Sequence, residues 1–332
     1  MKSLLLLFAL SLAQAFADGV EPYYLESRDF PTAKLGEGAI SAAVLGDSLS
    51  QDFYTSGTAE ALGQMTTKRL GNWFAAKDMT DVKSLFQHLA AKVPTRPANF
   101  ARVAAYIPAN NKTDGTKKFI GGVLDLDDQV ALVLKEKQFP NLILSWIGHN
   151  NLDWKYDLSQ NPKLNAETHR AAIPKMVAQA YLKQVDLLLE KAKKQPYPVA
   201  IIVYGLGNLK SFFEARRLVK NEKDKDPKLF PNFEMFYERF TSFTPTNEEV
   251  TTELWGKVNQ AVSEMVEGRR LKLKDESKRV FLLYSDIFEK IAIDSPKLLH
   301  PKDGFHLSAA GHSKFAKASS DGLKEVLLLL KN

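Results

Sequence analysis

Residues 39–50 read AISAAVLGDSLS, and the expected fold can be built outward from this stretch. Its first seven residues are small or apolar except for one serine, without the regular polar alternation of a half-buried strand. Gly46-Asp47-Ser48 follow directly, and a glycine allows the chain to leave the strand sharply. The pattern therefore predicts a strand buried on both faces of a parallel sheet, with a polar turn at its carboxyl end.

Four further apolar runs have a similar length and character, at 100–107, 141–147, 199–204 and 280–284. Between them, longer amphipathic segments predict helices at about 58–76, 81–92, 127–138, 171–194, 247–267 and 308–330. Strands that alternate with helices are joined by right-handed crossovers. We therefore expect a three-layer α/β/α sandwich around a mostly parallel, five-stranded sheet, with the ligand site at the carboxyl ends of the strands.

Two of the predicted strands end in polar turns that suit a reaction centre. Ser48 follows the first strand, where a turn or helix start presents its hydroxyl beside backbone N–H groups. Gly148-His149-Asn150-Asn151 follows the third, and its amide side chains are neutral donors of the kind that stabilise an oxyanion. Both turns also have a plain structural interpretation, as a helix cap and a polar turn.

A third polar motif lies near the C-terminus, where residues 303–308 read DGFHLS. Asp303 stands three residues before His306, so its carboxylate can reach the ring, fix the tautomer and stabilise the imidazolium formed when His306 takes a proton from Ser48. Ser308 is typical of the N-cap of a following helix. The alternative for His306 is a surface histidine in a loop.

Together these motifs resemble the SGNH, or GDSL-type, esterase and lipase superfamily. Residues 46–49 match its first block, 148–150 its third and 303–306 its fifth, in the right order along the chain. The resemblance implies a flavodoxin-like SGNH hydrolase fold, cleavage of carboxylic esters, and no metal or organic cofactor. It identifies Ser48 as the nucleophile, His306 as the base and Asp303 as the group that orients the base.

The same resemblance assigns the oxyanion hole to four residues, Ser48, Ala104, Gly148 and Asn150. Ala104 stands where the second block usually has glycine, and Gly121 or Gly122 are alternatives for that donor. Asn151 stands where the family usually has a structural aspartate, for which Asp153 could compensate. The side chains expected to line the substrate site are Asp47, Leu49, His149 and Phe305.

The composition narrows the chemistry further. The chain has 332 residues and a formal net charge of +6. It has no cysteine, and this excludes a thiol nucleophile, disulfides and thiolate metal sites. No basic stretch is interleaved with aromatic residues, so nucleic acid is not an expected partner. No His-Glu-x-x-His motif is present either. Of the other histidines, His300 is expected to touch the catalytic loop and His312 to be structural, whereas His88 and His169 match no partner pattern.

Residues 1–17 are typical of a secretory signal peptide: Lys2, an apolar run LLLLFALSL at 4–12, and small residues before Asp18. Nine apolar residues are too few to span roughly 30 Å of hydrocarbon. We therefore expect a secreted or periplasmic protein, a monomer, with one domain over 18–332. Within it, the segment 205–250 is interpreted as an insertion or partial lid, or as an ordinary packed connection with core aromatics.

The acyl donor stays open at this point. Five phenylalanines between 230 and 243 favour a lipid or long acyl chain, with transient contact at a membrane surface. Trp73, Trp146 and Trp154 could instead stack on a sugar, as a carbohydrate O-deacetylase requires. An acyltransferase would use the same residues, and a catalytically decayed binding protein on the same fold is the hypothesis from another class.

Overall fold

A six-stranded sheet lies at the centre of the protein in a computed structural model, which describes residues 23–50, 72–76, 82–102, 105–108, 125–234 and 241–331. The strands are Tyr23–Tyr24 (β1), Ile40–Gly46 (β2), Thr95–Asn99 (β3), Leu142–Trp146 (β4), Val199–Tyr204 (β5) and Val280–Ser285 (β6). β2 to β6 are parallel, and the two-residue β1 pairs antiparallel with β3. The order β1-β3-β2-β4-β5-β6 gives the five parallel strands the 2-1-3-4-5 arrangement of flavodoxin-like sheets. The predicted α/β fold with a five-stranded parallel sheet is confirmed.

The central strands are apolar because both faces of the sheet are covered. Every residue of β2, β4 and β5 is buried, and their registers place Val44 beside Leu144 and Leu144 beside Ile202. β6, at the edge, alternates in its first four residues between buried and partly exposed positions. The continuous apolar runs in the sequence thus identified the central strands to within one residue at either end.

The predicted second strand at 100–107 is wrong. The strand is Thr95–Asn99, whose sequence TRPAN carries three polar residues and a proline. A proline is tolerated there because β3 is next to the edge of the sheet, and its outer neighbour is the two-residue strand β1. The apolar residues that follow, such as Phe100 and Ile107, are buried but lie in irregular backbone after β3. These residues are hydrophobic because they are buried in a loop, not because they form a strand.

Helices cover both faces of the sheet. One layer contains Leu126–Leu134 (α2), Ala166–Ala192 (α4) and Glu248–Glu276 (α6), and α4 contacts both of the others. The other contains Leu85–Ala90 (α1), Ile287–Lys290 (α7) and Ala309–Gly322 (α8). The remaining helices are Trp154–Gln160 (α3), Leu209–Lys225 (α5) and Lys324–Leu329 (α9). Short 3-10 helices lie at Phe30–Thr32, His149–Leu152, Thr241–Phe243, Pro245–Asn247 and Pro296–Leu298.

Two of the predicted helices differ from the structure in kind, and the other four differ at their ends, most of all α6, which ends at Glu276 instead of 267. The helix expected at 308–330 is divided into α8 and α9 at Leu323, directly after Gly322. The C-terminal end of the helix expected at 58–76 is a turn instead, since the Asn72 side chain accepts hydrogen bonds from the N–H groups of Phe74 and Ala75. Residues 58–71 lie outside the described part of the chain. Ser308 caps α8 as predicted, accepting from the Gly311 N–H at 3.2 Å.

In its described residues, the segment 205–250 contains a long helix, α5, and two 3-10 helices before the start of α6, Thr241–Phe243 and Pro245–Asn247. Its residues 235–240, and the predicted leader at 1–17, lie outside the described residues. No helix in the described ranges is long and apolar enough to cross a membrane.

Candidate active site

Ser48 lies on the turn that leaves β2 at the carboxyl end of the sheet. Gly46 makes this exit narrow: a Cβ atom there would lie 2.5 Å from the Cβ of Ser50. The backbone of Gly46 is held by Gln129 of α2, whose side chain accepts from its N–H at 2.8 Å and donates to its carbonyl at 2.9 Å. The hydrogen bonds from Gln129 therefore hold the start of the turn in place. Ser48, at its tip, is half-buried.

His306 and Asp303 approach Ser48 from a loop before α8. The Nε2 atom of His306 lies 3.2 Å from the Ser48 Oγ atom, and its Nδ1 atom lies 2.7 Å from Asp303 Oδ2. The other oxygen of Asp303 accepts from the backbone N–H groups of Phe305 and His306, at 2.9 and 3.1 Å. Burial alone would raise the pKa of Asp303, but the charge and hydrogen bond of His306 and the Phe305 amide hold it below its usual value. The carboxylate is thus kept ionised against the ring.

The loop that carries both residues is closed on itself. The backbone N–H of His300 donates to the carbonyl of His306 at 2.7 Å, next to a bridge between Leu299 and Leu307. At its tip Gly304 has φ 58°, and a Cβ there would lie 2.6 Å from Val219 of α5. His300 therefore contacts the predicted catalytic loop. The positive φ and the contact with the Val219 side chain both favour glycine at the tip.

The turn after β4 brings Asn150 to the same place. Gly148 has φ 123°, which favours glycine, and the turn continues into the 3-10 helix His149–Leu152. The Asn150 side chain donates one hydrogen bond to the Ala105 carbonyl at 2.9 Å. Because an amide nitrogen has two hydrogens, this bond orients the group and leaves the second hydrogen for a ligand. Gly148 thus shapes the turn that positions Asn150.

Asn151 pairs with the backbone of Ile107 in both directions. Its side chain accepts from the Ile107 N–H at 3.0 Å and donates to the Ile107 carbonyl at 2.8 Å. An aspartate could make only the first of these bonds. Asp153 bonds elsewhere, accepting from the Ser242 N–H at 3.1 Å. The asparagine at this position therefore has a structural reason of its own.

Asp47 lies behind Ser48 and is almost completely buried. Its carboxylate accepts from the Leu49 N–H at 3.0 Å and contacts the Nδ1 atom of His149 at 2.9 Å. The Nε2 atom of His149 in turn accepts from the Gly207 N–H at 3.3 Å. Of the residues expected to line the substrate site, Leu49, His149 and Phe305 do line a cavity next to Ser48, whereas Asp47 turns away from it.

This cavity has a volume of about 60 Å³, the space of several water molecules. Apart from Ser48, His149, Asn150 and Asn208, its walls in the described residues are almost entirely apolar. The main side chains are Leu49, Leu209, Phe212, Phe243, Ile293 and Phe305. Trp146 contributes to the wall, but Trp73, Trp146 and Trp154 are all buried and expose no broad face for a sugar.

Sequence reasoning missed the contribution of the loop after β5. Gly207, Asn208 and Leu209 line the cavity, and Phe212 follows one turn along α5. The sequence does contain a signal for this loop, since 205–208 follows a predicted strand at the edge of the sheet where ligands bind. Ala104, and its alternatives Gly121 and Gly122, lie outside the described residues.

Two other histidines have structural contacts. His312 is fully buried in α8 and its Nδ1 atom accepts from the Trp73 N–H at 3.2 Å. Burial, with smaller contributions from His306 and His300, lowers the pKa of His312 to about 3. His169 pairs with Asp157 at 2.8 Å between α4 and α3. Within the described residues, no three His, Asp or Glu side chains come together in a way that could hold a metal ion.

Comparisons with known proteins show similarity in structure but not in sequence. No protein-family profile matches the chain, and no curated protein sequence is similar to it. Among solved structures, a family 3 carbohydrate esterase from Clostridium thermocellum is similar at 13% identity and a TM-score of 0.43, over 89% of this chain and 100% of that one. The lipase Lip_vut3 from a goat rumen metagenome is similar at 12% identity and a TM-score of 0.46, over 85% and 96%. Likeness at this level does not transfer an activity.

Proposed function

We propose that this protein hydrolyses carboxylic esters through a covalent acyl-enzyme on Ser48. The observation that carries the proposal is the continuous contact from Asp303 through His306 to Ser48, with distances of 2.7 and 3.2 Å, beside a cavity at the carboxyl end of the sheet. A nucleophile, a base and a group that orients the base are the parts that acyl transfer requires.

In the proposed mechanism, the Ser48 hydroxyl attacks the ester carbonyl while His306 Nε2 takes its proton. Asp303 holds the hydrogen on Nδ1 and stabilises the imidazolium that forms. His306 then gives the proton to the leaving alcohol. Water enters, loses a proton to His306, and attacks the acyl-enzyme, which releases the carboxylic acid and restores Ser48.

The oxyanion formed in both steps needs donors that are already in position. The second amide hydrogen of Asn150 and the backbone N–H of Ser48 are the proposed donors, with the backbone N–H of Ala104 as a third. Loss of one such donor typically raises the barrier by roughly 3–4 kcal/mol. The bond from Asn150 to Ala105 supports this role because it fixes the amide before substrate arrives.

The apolar cavity beside Ser48 supports a substrate with a hydrocarbon acyl chain. Phe212, Phe243 and Phe305 pack edge to face with one another and present apolar surface to the cavity. A hydrocarbon chain would gain about 25 cal/mol for each Å² buried there. We propose a lipid or other small acyl ester as substrate, met outside the cytoplasm after removal of residues 1–17, by a monomer that contacts a membrane surface transiently.

The decisive experiment is the Ser48→Ala variant. Hydrolysis of p-nitrophenyl butyrate and covalent labelling by a fluorophosphonate probe should both be lost, with the melting temperature unchanged because Ser48 is half-buried and small. Ser50→Ala is the matched control, two residues away: it loses the bond from Trp73 Nε1 at 3.2 Å but should still be labelled. A wild-type protein that the probe does not label would be the decayed binding protein instead.

A further inference from the structure

We infer that His149 is a positioning residue whose ring joins the turn carrying Ser48 to the loop forming the cavity wall, so that occupation of the cavity is coupled to the reactivity of Ser48. The inference rests on the proposed function and deepens it. It assigns His149 a role without requiring contact with the reacting atoms.

One side of the ring is fixed by the nucleophile turn. The Nδ1 atom of His149 lies 2.9 Å from Asp47 Oδ2, while Asp47 Oδ1 accepts from the Leu49 N–H at 3.0 Å. Each carboxylate oxygen of Asp47 therefore has a partner, His149 for Oδ2 and the Leu49 N–H for Oδ1. Asp47 and Leu49 are the two neighbours of Ser48 in the sequence. Because Asp47 is almost completely buried, it cannot rotate without losing one bond in a place that water does not reach.

The other side of the ring is fixed by the loop after β5. The Gly207 N–H donates to His149 Nε2 at 3.3 Å, so this nitrogen is the acceptor and the ring hydrogen lies on Nδ1, facing Asp47. The neighbouring Leu206 is held separately, since its N–H donates to the Asn259 side chain at 2.9 Å. Among the hydrogen bonds of the described residues, those of His149 link Gly207 to the nucleophile turn.

The surroundings of the ring keep it from turning toward a substrate. It packs edge to face on Trp146, with ring centroids 5.1 Å apart, and the Trp146 Nε1–H donates to the Gly205 carbonyl at 3.1 Å. Both ring nitrogens are already engaged within the protein. The ring therefore acts through its neighbours, Asp47 on one side and Gly207 on the other.

The coupling follows from what the two linked segments do. Gly207 and Asn208 line the cavity, so an acyl chain that fills it presses against the loop that His149 holds. His149 also directly precedes Asn150, the proposed oxyanion donor. A displacement of the loop is therefore transmitted to Ser48 and Asn150 through one ring, and a correctly bound chain stabilises the reactive arrangement.

Two substitutions separate the two links. In His149→Asn, the amide lies near the position of Nδ1, so the bond to Asp47 is kept and the bond to Gly207 is lost. We expect kcat/KM for p-nitrophenyl octanoate relative to acetate to fall roughly tenfold, mainly through kcat for octanoate, because a chain in the cavity no longer acts on Ser48; this corresponds to the loss of about one hydrogen bond. In His149→Gln, the amide reaches the position of Nε2, so Gly207 keeps an acceptor and Asp47 loses its partner. Here kcat and the rate of fluorophosphonate labelling should fall roughly tenfold at every chain length.

His169→Asn is the matched control, because it breaks a buried histidine–aspartate contact of 2.8 Å that lies away from the cavity lining. It should lower the melting temperature and leave both the chain-length ratio and the labelling rate unchanged. If the two His149 variants behave alike, or only lose stability as His169→Asn does, the inference is overturned. A wild-type protein without labelling at Ser48 would instead refute the proposed function.

A measurement on the unmodified protein guards against variants that do not fold. Nitrogen-15 NMR of the histidine side chains at pH 8 should show the His149 hydrogen on Nδ1. A hydrogen on Nε2 would place two donors opposite each other at Gly207 and would refute the linkage.

Discussion

The polar residues around the site are defined by hydrogen bonds made in two directions at once. Asn151 both donates to and accepts from Ile107, and Gln129 does the same for Gly46 across 83 positions of sequence. Each amide thus satisfies both the N–H and the carbonyl of one backbone residue. This is why an amide at 151 suits this chain better than a carboxylate would.

Asn151→Asp tests this interpretation. The carboxylate would keep the bond from the Ile107 N–H, but its second oxygen would face the Ile107 carbonyl without a hydrogen between them. We expect the free energy of unfolding to fall by about 1–3 kcal/mol, measured by urea denaturation at pH 7.5. Asn165→Asp is the control: its side chain only accepts, from the Thr168 N–H at the start of α4, and should lose nothing. Equal stability of the two variants would contradict the two-way pairing.

At the scale of elements, hydrophobic runs identified β2, β4 and β5, which are buried on both faces, and the edge strand β6, but they failed for β3. The four identified strands follow from sequence because their own residues supply the apolar surface that the sheet buries. β3 does not, since its apolar neighbours are buried by tertiary packing that no local pattern records. The same reason explains the site: residues 46–48, 148–150 and 303–306 were found as local motifs, whereas the contact between Gly207 and His149 depends on strand order.

α5 illustrates how one helix serves both the core and the cavity. Phe212 lines the cavity, whereas its neighbour Phe213 is buried and does not. Phe212→Leu replaces a side chain of the cavity wall with a smaller one and so enlarges the cavity. We therefore expect the acyl-chain length that gives the highest kcat/KM, among p-nitrophenyl esters from acetate to decanoate, to increase. Phe213→Leu removes a similar volume from the core and should reduce stability by about 1 kcal/mol without moving the optimum. A shift of the optimum in both variants, or in neither, would mean that the acyl chain lies elsewhere.

For the molecule as a whole, the buried His312 in α8 makes the free energy of unfolding decrease at acid pH. Burial lowers the pKa of His312 from 6.5 to about 3, so the folded protein keeps the ring neutral where the unfolded chain binds a proton. Between these pH values the unfolded state holds more protons, and the free energy of unfolding falls as the pH falls. The low pKa of Asp303 acts in the same direction at still lower pH, since its carboxylate must be protonated before the contact with His306 is lost.

His312→Asn should remove most of this dependence above pH 5. The asparagine oxygen lies near the position of Nδ1 and can still accept from the Trp73 N–H, but it does not titrate. Between pH 7.5 and 5, protonation of His312 in the unfolded chain should cost the wild-type protein about 2 kcal/mol of unfolding free energy. Urea denaturation at several pH values measures how the free energy of unfolding depends on pH. Between pH 7.5 and 5, the variant should lose less of this free energy than the wild-type protein, by the amount due to His312. Parallel curves for the two proteins would mean that His312 is protonated in the folded state, and that the acid sensitivity arises from other groups.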